Sequence, residues 1–370
     1  MMHISYVKIA AQHAPIKEVL LDAIGKVIDK GQFILGDEVA EFETRFAELC
    51  GVRYAVGLNS GTDALILALR ALGIGPGDEV ITAPNSFVAS ASCIALVGAR
   101  PVFVDVNEDY NINPALIEDA ITSHTRAIIP VHLTGRPADM DVILKIAQKR
   151  SLYVIEDCAQ AVAAEYKGKR VGGFGIAGCF SLHPLKTLNA CGDGGVLTTN
   201  DNALAERIKI LRNAGLKSRD ECISWSGHSR LDNIQAAILL VKLNYLDTWT
   251  EKRRANALFY QQQLADLQQL KMPQDASYER AVYHTFVIQA DCRNELKSYL
   301  SECGIETAIH YPVPIHLDKA AEKLGYVTGS FPVTEWLAQR ILSLPVYPEL
   351  TAAELNYIVE TIKKYYLGKV

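Results

Sequence analysis

Ala177–Gly195, AGCFSLHPLKTLNACGDGG, presents one lysine, Lys186, at the end of an apolar run that stops in a turn. Ala177 to Leu182 reads as a short buried strand, His183 and Pro184 break it, and the glycines of Gly192–Gly195 keep the chain from continuing as a regular helix. A lysine so placed sits at the carboxyl edge of a sheet, where open α/β folds collect ligands. Its amine can form a Schiff base with a carbonyl if a hydrophobic pocket or a neighbouring cation lowers its pKa. A solvated loop lysine is the competing assignment, so the case depends on what the rest of the chain places beside it.

Outward from this stretch, short apolar runs alternate with helical patterns. VRYAVGL precedes a helix over Thr62–Leu72, DEVITA one over Phe87–Val97, RPVFVDV one over Pro114–Ile121, and RAIIPVHL one over Met140–Lys149, before LYVIED. This rhythm predicts right-handed crossovers and a mostly parallel sheet covered on both faces. Ahead of it lie an irregular arm and two amphipathic helices, Ile16–Asp29 and Asp37–Cys50; an arm of this kind often crosses to a partner subunit. Strands near Cys179 and Val196 and a helix over Asn202–Arg212 finish the large unit. One long helix is then expected from Leu231 to about Leu267, followed by a strand in YHTFVIQA and a helix over Asn294–Cys303. The expected fold class is therefore α/β, with a large domain over residues 1–250, arm included, and a smaller C-terminal α/β domain over 251–370.

Composition narrows the function classes. The 370 residues carry 37 basic and 42 acidic side chains for a net charge of −5, without long like-charge runs, which excludes a footprint for nucleic acid or an anionic membrane. The eight cysteines are scattered with no C-x-x-C pair and no zinc-like spacing, the pattern of reduced thiols in a cytosol, so no metal and no disulfide are expected. The amino terminus MMHISYVKIAAQHAP has no long apolar segment, and no stretch approaches the ~20 apolar residues of a membrane span. A cytoplasmic protein is expected, neither exported nor membrane-spanning.

Three stretches supply partners for Lys186. Asn59-Ser60-Gly61-Thr62-Asp63 lies between a strand and the helix ALILALRAL, where free N–H groups at Gly61 and Thr62 and the Thr62 hydroxyl can hold a phosphate, although the same residues also cap helices that bind nothing. In LYVIEDCAQ a strand ends at Glu156 and Asp157, with Gln160 just beyond. A carboxylate there can bind a ribose or a metal, pair with a protonated ring nitrogen, or merely cap the next helix. Phe87, after DEVITA, can lie against a cofactor ring or belong to the core. Thr62, Phe87, Asp157 and Lys186 all fall just past the ends of parallel strands, so four candidates converge on one edge. Gly173-Phe-Gly175-Ile-Ala-Gly178 matches G-x-G-x-x-G, but it precedes a strand instead of following one, which argues against a dinucleotide site and for a bend delivering the chain to Lys186. Near the end, His310 and the loop Tyr311–His316 are held extended by Pro312 and Pro314, either facing a pocket or lying on the surface.

These residues resemble the DegT/StrS-type nucleotide-sugar aminotransferases, pyridoxal-phosphate enzymes of the aspartate-aminotransferase fold. The resemblance spans nearly the whole chain: GQFILGDEVAEFE, SGTDALILALRALGIGPGDEVIT, VIEDCAQA, FSLHPLKTLNACGDGG, HSRLDNIQAAIL and HYPVPIH. It implies that Lys186 is the Schiff-base lysine and proton carrier, that Asp157 pairs with the cofactor's ring nitrogen and Gln160 with its ring oxygen, that Phe87 stacks on the ring, and that Gly61, Thr62 and Ser181 bind its phosphate. His183, Arg230, His310, Tyr311 and His316 would surround the sugar substrate. It also implies a homodimer with composite sites, to which the arm and the SRLDN segment contribute. Here His228 stands where relatives usually have an asparagine that reaches the phosphate of the neighbouring subunit, and histidine can also donate a hydrogen bond. The implied reaction moves nitrogen from an amino acid, L-glutamate by family habit, to a keto group on a nucleotide-linked hexose. Gly192-Asp193-Gly194-Gly195 matches relatives acting at carbon 3, with a UDP-linked 2-acetamido sugar preferred over a dTDP-linked 6-deoxy sugar. The alternatives are a carbon-4 aminotransferase, a dehydrating sister enzyme, which would lack the lysine, and a cofactor-binding regulatory protein without turnover.

Overall fold

The computed structural model describes residues 2–368. Its centre is a seven-stranded sheet built from β1 (Tyr54–Leu58), β2 (Glu79–Thr82), β3 (Arg100–Phe103), β4 (Thr125–Ile129), β5 (Tyr153–Asp157), β6 (Ala177–Ser181) and β7 (Gly195–Thr199), in the order β1-β7-β6-β5-β4-β2-β3. Strand β7 runs antiparallel to both neighbours, and the other six share one direction. The apolar strands alternate faces. Val80, Ile129, Ile155, Cys179 and Leu197 pack under the helices Gly61–Ala71, Ala89–Leu96 and Asn202–Leu211, while Ile81, Ile128 and Val154 face Met140–Arg150, and Phe180 and Val196 face Asp37–Cys50 and Asn233–Leu243. Two-sided burial explains why these strands read as continuous apolar runs. The expected parallel sheet with helices on both faces is thus present, and the ends of β1, β2, β5 and β6 meet at one edge.

A second core gathers on the sheet β8 (Leu270–Lys271), β9 (Phe286–Ala290) and β10 (Ile341–Leu344), ordered β8-β9-β10 and antiparallel throughout. Ala257, Tyr260, Leu296, Leu300, Ile358 and Ile362 pack there. Ile4 joins this core in the same chain, bridging Ile305, and Lys8 pairs with Glu354.

The single long helix expected over Leu231 to Leu267 is two helices, Asn233–Leu243 and Leu246–Gln263, separated at Asn244 and Tyr245. No glycine or proline marks the break. The two halves serve different cores: Ala236 and Leu239 pack toward the large sheet, Ala257 and Tyr260 toward the small one, so the chain must turn between them. The helix expected from Phe87 begins at Ala89, leaving Phe87 ahead of it and 54 % exposed. Among the described residues no helix is long and apolar enough to cross a membrane.

Candidate active site

Register places the site. Leu58 and Ser181 both pair with Gly195, so β1, β7 and β6 end level, and the helix Gly61–Ala71 starts directly above Ser181. Only glycine fits this approach: a Cβ on Gly61 would lie 2.8 Å from Ser181 Cβ, and one on Gly195 would lie 2.3 Å from the Ser60 carbonyl carbon. Ser60 caps the helix by accepting from the Asp63 N–H at 3.1 Å. Capping satisfies one donor; the Gly61 and Thr62 N–H groups keep no partner among the described residues and remain available to an anion.

Above this edge opens a cavity of about 450 Å³ lined by Gly61, Thr62, Phe87, Asp157, Gln160, Ser181, His183, Lys186, His310 and Tyr311. Ten expected site residues therefore meet in one place. Burial lowers the Lys186 ammonium to about 8, with the Asp157 carboxylate pulling the other way. At mildly alkaline pH its amine is thus largely neutral and nucleophilic, as Schiff-base chemistry requires.

Asp157 is 4 % exposed and held from two sides: Oδ2 accepts from Ser90 Oγ at 2.7 Å and Oδ1 from the Ala159 N–H at 3.1 Å. Ser90 Oγ in turn lies 2.5 Å from Ser86 Oγ. Since Ser90 donates to the carboxylate, the hydrogen between the two serines can come only from Ser86, whose single hydroxyl hydrogen is shared with the Phe87 carbonyl at 2.9 Å; the series Ser86, Ser90, Asp157 is thus directed toward the carboxylate. Gln160 Oε1 accepts from the Thr134 N–H at 2.7 Å, and its Nε2 donates to the Tyr311 hydroxyl at 3.2 Å, leaving a second hydrogen free. Burial and the Asp157 charge raise the Tyr311 phenol to about 12. Burial and the nearby Lys186 lower His310 to about 4, so its ring is neutral, with Nδ1 2.9 Å from Ser343 Oγ.

Three expected residues lie outside this cavity. His316 is buried with Nε2 3.0 Å from Glu335 Oε1 and its ring against Phe331, because the loop after Pro314 turns into a short 3-10 helix that points it inward. His228 is exposed and bridges Asn213, and Arg230 Nη1 donates to Asn213 Oδ1 at 3.0 Å.

The neighbouring acid, Glu156, has a different task. Its oxygens accept from the Gly172, Phe174 and Gly175 N–H groups, each at 2.8 Å, and from the His132 ring. The glycine run is therefore clamped beneath β5 and β6, the bend expected of it. His132, Glu156 and Cys158 cluster tightly enough to suggest a metal site, but the His132 Nδ1 already accepts from the Ala138 N–H and every Glu156 oxygen is occupied.

Several lining residues carried no sequence signal. Tyr6 comes from the arm, Ser86 and Ser90 flank Phe87, and Arg253, His284, Thr285 and Tyr347 come from the C-terminal unit. Arg253 was hidden in a helical pattern and His284-Thr285 in a strand pattern, whereas Ser60 and Asp193, which also line the cavity, lay inside quoted motifs.

Open N–H groups at a helix start, a lysine amine without a partner among the described residues, a buried carboxylate and an open aromatic side chain on one sheet edge agree with the comparisons. Residues 15–363 match the model of the DegT/DnrJ/EryC1/StrS aminotransferase family. The chain belongs to that family. The UDP-N-acetyl-3-dehydro-α-D-glucosamine 3-aminotransferase of Acidithiobacillus ferrooxidans is 44 % identical over 362 residues, covering 98 % of this chain and 97 % of that one. A pleiotropic regulatory protein of Geobacillus stearothermophilus is 42 % identical over 370 residues, covering 99 % of each. Among solved structures, NtdA of Bacillus subtilis with bound cofactor PMP superposes with a TM-score of 0.94 at 30 % identity, covering all of this chain and 86 % of that one. This DegT/DnrJ/EryC1/StrS aminotransferase thus shares its architecture with a cofactor-bound enzyme over its whole length.

Proposed function

We propose that the protein is a pyridoxal 5′-phosphate-dependent aminotransferase that moves an amino group from L-glutamate to the C3 keto group of a nucleotide-linked sugar, a UDP-linked 2-acetamido hexose in first place. The observation carrying this is the unpartnered Lys186 amine, lowered to about 8, in the same cavity as Asp157 and the free helix N–H groups. The cavity fits the cofactor in chemistry and size: about 450 Å³ suits a small-molecule site, with a phosphate donor set at one end and a carboxylate at the other. When bound, the cofactor would supply an aldehyde to carry the nitrogen and an electron-withdrawing ring to stabilise negative charge on the substrate carbon.

The chain's own residues do the rest. Gly61, Thr62 and Ser181 hold the phosphate, and the helix start favours its charge. Asp157, fixed by Ser90 and Ala159, would present a carboxylate to the ring nitrogen, Gln160 would offer its free amide hydrogen to the ring oxygen, and Phe87 would lie against the ring. Lys186 Nζ takes the proton from the substrate carbon and returns it. His183, His310 and Tyr311 flank the space left for the sugar. The test is release of 2-oxoglutarate from L-glutamate in the presence of a nucleotide 3-keto sugar; no release with any such acceptor contradicts the proposal. The relative named as a regulatory protein favours a second reading, a cofactor binder without turnover, and the same assay separates the two.

The working unit is a cytoplasmic homodimer in which His228 and Arg230 serve the neighbour's site. Their position outside their own chain's cavity supports this, and His316 acts through Glu335 behind the loop rather than on the sugar. Mixing inactive Lys186→Ala and Arg230→Ala subunits then restores about a quarter of wild-type activity, because each hybrid dimer regains one intact site. No recovery after confirmed subunit exchange contradicts composite sites.

A further inference from the structure

Buried arginines in this protein are matched by a carboxylate or by close oxygen acceptors, even where one nitrogen, such as Arg212 Nε, is left over; Arg253 is matched least. Arg136 pairs with Glu279 and Arg212 with Glu43, while Arg293, which lacks a carboxylate, donates from Nε to Asn294 Oδ1 and from its two other nitrogens to the Ile341 and Ala338 carbonyls. Arg253 is 6 % exposed, yet it forms no ion pair among the described residues, and its Nε has no hydrogen-bond partner. Its Nη1 reaches the Tyr283 and His284 carbonyls only at 3.4 Å each. Glu349 is the acid whose charge it feels most, but among the described residues no carboxylate lies within ion-pairing distance. Burial lowers the guanidinium to about 10, the mark of a charge held without compensation. Such a charge is costly unless something neutralises it.

The surroundings show where the missing anion goes. Arg253, His284 and Thr285 line the same cavity as Lys186, and His284 Nδ1 and Thr285 Oγ1 are also buried without partners. Burial, with Lys186 and Arg253 next, presses the His284 ring toward its neutral form, so both cations act on the same ring. Arg253 and Lys186 also share the wall of a small void beneath the lysine loop. The cofactor phosphate is provided for at the helix start, so this is a second oxyanion position. In an α-amino acid the carboxylate is one bond from the carbon bearing the amine, which places it close to the lysine that exchanges that amine. A nucleotide diphosphate, followed by ribose and base, needs a path to solvent that a side chain this deeply buried does not offer.

We propose that Arg253, with Thr285 beside it, is the binding site for the carboxylate of the amino donor. This rests on the transamination proposed above. The guanidinium supplies the charge and Nε–H the hydrogen bond, and the Thr285 hydroxyl donates a second.

The test is calorimetric titration of the holoenzyme with glutarate, a dicarboxylate that has no amine to react, and in parallel with UDP and dTDP. Glutarate is expected to bind wild type, to bind Thr285→Val about 10-fold more weakly, and to bind Arg253→Gln at least about 30-fold more weakly, with nucleotide affinity unchanged. Arg253→Lys, which keeps the charge but loses the fork, falls between. If Arg253→Gln fails to fold, Thr285→Val and Arg253→Lys still decide the matter. Glutarate affinity unchanged in all variants overturns the proposal, and so does a loss that falls on UDP or dTDP, which would assign the position to the sugar nucleotide. An enzyme that transaminates while Arg253→Gln keeps its KM for glutamate refutes this site and leaves the function standing; absence of transamination with normal glutarate binding does the reverse.

Discussion

The two walls of the cavity differ in how far their polar groups are satisfied within the chain. On the sheet edge, Asp157 is locked by Ser90 and Ala159, and Ser90 by Ser86. On the facing wall, Arg253 Nε, His284 Nδ1 and Thr285 Oγ1 have no partners among the described residues. A group that must hold one orientation through every turnover is fixed in advance, whereas a group that meets a ligand arriving and leaving keeps its hydrogen-bonding capacity open. Among the buried side chains, the contrast sets the carboxylate proposed for the cofactor ring apart from the groups proposed for the substrate, while the Gly61 and Thr62 N–H groups stay open on the sheet edge as well.

The strongest way to break this division is at the lysine between the walls. Lys186→Ala is expected to lower turnover by at least about 10³-fold and to remove the visible absorbance of covalently held cofactor, while the aminated cofactor still binds through the phosphate cradle. Undiminished transamination removes the basis of the mechanism.

Next in size is the support under Asp157. Ser90→Ala deletes a hydrogen bond to a buried carboxylate, which costs about 1.5–3 kcal/mol, so affinity of the apoprotein for pyridoxamine phosphate should fall about 10-fold or more. Ser90→Thr should recover it, and Ser86→Ala, one bond further out, should cost only a few-fold. Equal losses for Ser86→Ala and Ser90→Ala would show general loosening instead of a directed chain.

Smaller still is a pH effect. With the Lys186 ammonium lowered to about 8, its neutral form predominates above that value, so the rate at which apoprotein captures pyridoxal phosphate should rise with pH through a midpoint near 8. A midpoint near that of an ordinary lysine would mean that burial does not tune this amine.

Much of the sheet-edge wall was legible in the sequence, because a strand followed by a turn announces itself locally. Lys186 after CFSL, Asp157 at the end of YVIED and Thr62 at a helix start each lie where one strand stops. The facing wall was not. Arg253 is one of two adjacent arginines on a polar helix, and its place in the cavity follows the break at Asn244 and Tyr245, which separates that helix from the one before it without any glycine or proline. His284 and Thr285 precede β9 and look like ordinary strand residues. Tyr6 reaches the cavity beside Ile4, which bridges Ile305, a contact between the arm and the C-terminal unit. His316 shows the converse, since a residue within a suggestive motif can be turned away by a single 3-10 turn. Local pattern identifies groups held by their own strand; groups assembled by tertiary packing require the folded chain.

The central claim is that nitrogen reaches carbon 3 of a nucleotide-linked sugar. The most direct measurement supplies ¹⁵N-glutamate and matched 3-keto and 4-keto nucleotide sugars to the purified protein and locates the label by NMR. The account predicts ¹⁵N bonded to carbon 3 and no amination of the 4-keto compound; efficient turnover of the 4-keto sugar with ¹⁵N on carbon 4, or no labelled sugar at all, would contradict it.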